Sequence, residues 1–255
     1  MTKRQKFIFS SVFLAIGMIF VHAAAFQWRY PAITLLSLLA AGFTLWTLRE
    51  ALAGIRYLTV IILPALFTAG VGLFYFLLPS TWLAVLPIAL LYGFGFYALL
   101  LTENIFSVSA IRTIQLFRAA QAVGFLLTLL TAFFLYDTVF SFKLYAWANA
   151  FLVILISFPL YLQGLWSINL EEKISRELIN FAIVLALISA ELGLIISFMP
   201  LTIAMSSLFL TTVVYVTLGL TQAHFQGRLF KRTVYEYLAV GVIVLLVMIL
   251  TINWG

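Results

Sequence analysis

Cysteine is absent from the 255 residues, and there are only two histidines, six prolines and 9% charged side chains. Without cysteine there is no disulfide framework, no thiolate metal site and no Cys nucleophile. His22 and His224 are expected near opposite faces of a membrane, which removes a histidine metal centre. No HExxH, P-loop or GxSxG pattern occurs. Lysine is missing from the interior of every long apolar run, so a retinal-type Schiff base has no attachment point. These absences predict no catalytic residue, no metal site and no cofactor. The scarcity of charge excludes a water-soluble fold, because soluble domains carry roughly 25% charged residues.

What the chain does have is apolar length: 65% of residues are hydrophobic, and the mean hydropathy is +1.19. A helix of about 20 residues crosses the hydrocarbon core with its backbone polar groups satisfied internally. That length predicts spans at 7–25, 32–48, 58–78, 82–101, 116–136, 144–166, 179–199, 201–223 and 237–253. Pro79-Ser80-Thr81 and Met199-Pro200 break the two longest uncharged stretches. The expected fold class is therefore all-α: one polytopic transmembrane helical bundle over residues 1–255.

The net charge of +6 is dispersed over short connections, which argues against nucleic acid and for a rim facing anionic headgroups. With the N-terminus inside, the inner segments hold Lys3, Arg4, Lys6, Arg49, Arg56, Arg112, Arg118, Lys173, Arg176, Arg228, Lys231 and Arg232. Only Arg29 and Lys143 lie outside, so the positive-inside rule predicts an N-in, C-out topology. Trp28, Trp82, Trp147 and Trp254 fall near the outer boundary and Trp46 and Trp166 near the inner one, where indole rings are favoured. Lys3, Arg4 and Lys6 followed by an apolar run to Ala23-Ala24-Ala25 also fit a cleaved signal peptide. The run reaches spanning length, and the topology retains it as the first helix.

A duplication is predicted from three matches. Leu45-Trp46-Thr47-Leu48 recurs as Leu165-Trp166-Ser167-Ile168, Arg112-Thr113 as Arg232-Thr233, and Gly72-Leu73 with Pro79 as Gly193-Leu194 with Pro200, at offsets of 120, 120 and 121. An offset of four spans gives parallel repeats, 1–110 and 116–230, with a final helix at 237–253. Chance alignment in a biased composition is the competing explanation.

Few residues are candidates for chemistry. Glu191 is expected near the middle of the seventh span, where a carboxylate costs about 2.5–3.5 kcal/mol. It fits either a proton- or cation-coupled site or interhelical glue hydrogen-bonded to Ser189 or another helix. Glu103, Arg112, Arg118 and Gln121 are expected to cluster on the cytoplasmic side. There Glu103 would pair with Arg112 or Arg118, and Arg118 would reach the headgroups. The three-residue spacing of Ile105, Val108, Ile111, Ile114 and Phe117 suits an interfacial helix or an early start to span five. Pro64, Pro87 and Pro159 are expected to kink their spans.

The stretch TENIFSVSAIRTIQLFRAAQAVGFLLTLLTAFFLY, Thr102 to Tyr136, with LEEKISREL at Leu170 to Leu178, resembles polytopic membrane proteins of small-genome, candidate-phylum bacteria. That family has no known activity. The resemblance implies a bacterial inner-membrane location and adds no catalytic residue. Two functions remain open at this level: a small transporter-like protein using Glu191, or a non-catalytic scaffold or assembly subunit. The partners expected are the lipid bilayer and a cytoplasmic or membrane protein, with no nucleic acid.

Overall fold

The computed structural model describes residues 2–23, 26–52, 54–77, 82–109, 116–171 and 173–252. Among them every regular element is helical: α1 (Lys3–Ala23), α2 (Arg29–Leu48), α3 (Arg56–Tyr75), α4 (Trp82–Ser109), α5 (Phe117–Ser141), α6 (Ala146–Asn169), α7 (Arg176–Ile196), α8 (Ile203–Phe225) and α9 (Lys231–Leu250). A single 3₁₀ turn, Phe26–Trp28, leads into α2. All nine are long and apolar enough to cross a membrane. Their ends follow local chemistry. Thr2 and Gln5 form a reciprocal capping box before α1. Ser175 and Thr202 accept N–H groups at the starts of α7 and α8. Gly227, at φ +65°, closes α8 in a Schellman turn, with Arg228 N–H bonded to the Ala223 carbonyl.

The chain forms two compact units, Met1–Thr131 with Leu170–Lys173, and Ala132–Asn169 with Ile174–Gly255. The boundary passes through α5, which contributes to both.

In the first unit α1, α2, α3 and α4 form a closed ring, each packed against the next and α4 against α1. A glycine sits at each of the four seams. A Cβ on Gly17 would stand 2.7 Å from Leu36, on Gly72 3.2 Å from Ile33, on Gly95 2.8 Å from Phe67, and on Gly93 3.2 Å from Ala15. Lipid tails are as apolar as leucine, so helices in a bilayer gain little by burial alone and associate where small residues allow close van der Waals contact. The enclosed core includes Leu14, Met18, Leu63, Phe96 and Leu99, all fully buried. At one end of the ring Lys3 and Lys6 reach Glu50 at 3.7 and 3.6 Å, and the Lys6 ammonium lies 5.5 Å from the Trp46 ring.

In the second unit α6 packs most extensively on α7, and α8 touches both. Gly193 meets Val153 at the α6–α7 seam and Gly164 meets Leu218 at the α6–α8 seam, with Cβ distances of 3.2 and 3.0 Å. Helix α9 leans on α8 alone in this way: the Tyr237 ring covers Gly219, and Gly241 faces Val216. Met248 is its one buried residue.

Two helices outrun their expected C-terminal limits by five residues or more. α4 continues to Ser109, so Asn104–Ser109 ends that helix instead of lying along the interface; residues 110–115 fall outside the described set. α5 continues to Ser141 and carries Asp137, one residue past the expected end of the fifth span, into a buried position. Ser207 on α8 donates to its Oδ1 at 3.1 Å, which lets a carboxylate occupy a helical turn there.

The glycine seams predict a contrast. Gly219→Ala would drive a methyl into the Tyr237 ring and loosen α9, lowering stability by about 1–3 kcal/mol. Gly42, with nothing near its Cβ position, should tolerate alanine with no loss. Unfolding in mixed micelles, with protease access to α9 as a second readout, measures both.

Candidate functional site

Four tyrosines are fully buried within helices. Tyr75, at the end of α3, has no hydrogen-bond partner for its hydroxyl among the described residues, whereas the other three each find a hydroxyl partner, as a buried phenol favours. Tyr92 on α4 meets Thr68 on α3 at 2.9 Å in the first unit. In the second, Tyr136 on α5 meets Ser157 on α6 at 2.7 Å. Tyr161 on α6, fully buried, meets both Ser189 on α7 and Thr217 on α8 at 2.8 Å. This last group ties three helices together at one point.

Its proton count is informative. Ser189 also reaches the Leu185 carbonyl at 3.1 Å, and Thr217 the Val213 carbonyl at 2.7 Å. The chain from one carbonyl to the other therefore has four links, and three hydroxyl groups supply three protons. One link is always without a hydrogen, and the vacancy can sit at any of the four by rotation of hydroxyl groups. The cluster is thus a polar joint with several equivalent hydrogen arrangements and no net charge.

The second polar centre contains a buried guanidinium and a buried acid and lies in the first unit. Arg56, at the start of α3, is only 4% exposed, and Glu103 on α4 is fully buried. The Arg56 guanidinium donates to the Ala51 carbonyl at 3.1 Å and to the Ser107 carbonyl at 3.3 Å. Ser107 in turn donates to the Glu103 carbonyl at 2.8 Å, so Arg56 sits one turn along α4 from Glu103. The sequence reading counted Arg56 among solvated loop charges.

The ends of α4 and α5 that carry Glu103 and Gln121 pack together, with the Phe106 ring 6.0 Å from that of Phe117. Arg112 lies outside the described residues. Arg118 is exposed on the first turn of α5 and makes no ion pair with Glu103. Gln121 is half-buried one turn further on. Glu191 lies on the exposed face of α7, and Ser189, its expected partner, is committed to Tyr161 and Leu185 instead. The position of Glu191 along the helix is nearer the C-terminal end than the hydropathy pattern marks. α7 begins at Arg176 and ends at Ile196, which places Glu191 about 8 Å from the helix end. The register moved because Ser175 caps the helix earlier than the hydropathy pattern marks.

An all-helical chain in which every described long helix can cross a bilayer is a polytopic membrane protein. Residues 9–251 match DUF5656, described as a protein of unknown function, and the chain belongs to that family. No curated protein and no solved structure matches it. Among the described residues no group of three or more His, Cys, Asp or Glu is placed to hold a metal ion.

The Tyr161 joint predicts strong non-additivity. Ser189→Ala and Thr217→Val each leave Tyr161 one hydroxyl partner and should cost under about 1 kcal/mol. The double variant strands a buried phenol, adding about 1–3 kcal/mol beyond the sum. A double-mutant cycle on unfolding in mixed micelles checks this; strictly additive losses would show that the three hydroxyls do not act as one unit.

Proposed function

We propose that the protein is a non-catalytic subunit of a membrane assembly, built into a bacterial inner membrane with its N-terminus inside. It engages a second transmembrane chain through the outer face of α7. The observation that carries this reading is Glu191. It is exposed, flanked by the exposed apolar Leu187, Ile188, Leu194 and Ile195, and without a hydrogen-bond partner among the described residues. A carboxyl group inside an apolar span needs a partner, and the described residues offer none at that face. A Ser, Thr, Asn or Gln on a facing helix supplies one, at about 1–2 kcal/mol in model helices. The orientation rests on the twelve basic residues assigned inside.

The duplication is part of the same proposal and has support beyond the sequence matches. α3 starts at Arg56 and α7 at Arg176, an offset of 120. Thr47 donates to the Thr44 carbonyl and Ser167 to the Gly164 carbonyl, the same three-residue back-bond in each helix. Gly72 receives Ile33, and Gly193 receives Val153. Repeated halves also favour a second reading, a transporter in which Glu191 exchanges a proton.

One preparation separates the two. The chain lacks cysteine, so Leu187→Cys carries a photoreactive maleimide at a single site on the α7 face. In native membranes the assembly reading expects one discrete protein adduct, retained with Glu191→Gln and reduced roughly 5–30-fold with Glu191→Leu. Adducts to lipid alone, or equal yields in all three, would overturn it. In proteoliposomes the transport reading expects a pH-dependent flux that Glu191→Gln abolishes.

A further inference from the structure

The exposed flank of the first unit carries a long groove between α1 and α4, with a volume of about 570 Å³. Small residues form its floor: Gly93 approaches Ala15, and no side chain rises between the helices there. Val12, Leu90 and Phe94 form its walls, and all three are strongly exposed. The groove runs from Arg4 to Ile19 along α1, about 22 Å at 1.5 Å per residue. That exceeds the roughly 15 Å depth of one leaflet, half of a 30 Å core.

The groove has one polar end. Arg4 lines it there. Lys3 and Lys6 are held by Glu50, whereas Arg4 is exposed and makes no hydrogen bond or ion pair among the described residues. The chain reverses direction three times between α1 and α4, so the two helices run antiparallel, and Tyr97 lies one turn from Gly93 toward the Arg4 end. Tyr97 lines the groove, and its hydroxyl is likewise without a partner among the described residues. An apolar trough of leaflet depth, headed by a free guanidinium and a phenol, is complementary to one kind of molecule. A guanidinium matches phosphate oxygens in a planar fork, and the trough matches a hydrocarbon chain.

We infer that this groove is a binding site for one anionic phospholipid, with its phosphate on Arg4 and an acyl chain along Val12, Gly93 and Phe94. The site goes beyond the proposed assembly role and lies on a different helix pair from Glu191, so either can fail alone.

Native mass spectrometry of the full chain in mild detergent tests it, with phosphatidylglycerol and phosphatidylcholine of matched chain length as probes. One phosphatidylglycerol per chain should be held in preference to phosphatidylcholine. Arg4→Gln should lower the preference about fivefold, the value of one basic contact near a charged surface. Val12→Trp replaces an exposed wall residue and should remove both lipids by filling the trough, while the elution volume and melting profile stay unchanged. Glycerol phosphate and inorganic phosphate should not displace the lipid; displacement by either would mean an anion site without a chain site. Equal retention of the two lipids unaffected by Arg4→Gln would overturn the proposal. So would a dimer that Val12→Trp converts to monomer, because a second copy would then occupy the groove.

Discussion

Close approach of helix backbones is the constraint on which both units depend. In water, burying leucine against leucine removes apolar surface from solvent; in a bilayer the same contact only replaces lipid with protein. What remains is van der Waals contact at short range and hydrogen bonding, and both need the helices near one another. The first unit meets that need with one glycine at every seam of its ring. The second does so with Gly164 and Gly193 around α6. The large side chains that fill these spaces, Phe67 and Leu218 among them, pack against a bare backbone, and that leaves room for the polar links.

Those links are made almost wholly from neutral hydroxyl groups. A tyrosine in a span is expensive unless its oxygen finds a partner, and serine and threonine return their own protons to a carbonyl one turn back. Thr68, Ser189 and Thr217 all do so, and each also receives or meets a tyrosine. The arrangement crosslinks helices without burying charge. The exceptions are Asp137, bonded by Ser207, and Arg56 and Glu103, placed where α3 begins and α4 nears its end, so that free carbonyls of the Ala51 turn can accept the guanidinium.

The spans were legible because hydropathy and length are lipid's own selection criteria, and the Pro200 break falls where α7 gives way to α8. Helix ends were less so. Nothing in the composition near Asp137 signals that Ser207, 70 positions later, will take its carboxylate. Glu191 was identified as unusual by type alone, but its face and its position along the helix follow from the Ser175 cap and from which side α6 and α8 occupy. Tyr161 could have been found: a tyrosine within a span, one turn from Ser157 and Pro159 on the same helix, needs a partner by chemistry alone. Its two partners come from helices 28 and 56 residues away, and no local pattern names them.

The proposed duplication gives Glu191 a sharper meaning. At the offset of the Gly72–Gly193 pair, Thr68 corresponds to Ser189 and Gly70 to Glu191. The hydroxyls keep one role, each bonding the carbonyl four residues back and meeting a tyrosine. The next pair diverges. Gly70 is buried in α3, which packs on α2 and α4 and buries a wide arc of residues. On α7 the buried arc is narrower, and the equivalent position faces out. A side chain at position 70 would start from a buried backbone, whereas at 191 it projects away from its own unit without disturbing the Ser189 joint. Position 191 can therefore carry a carboxyl group at the surface of its unit at no cost to the interior, and a partner helix can reach it there.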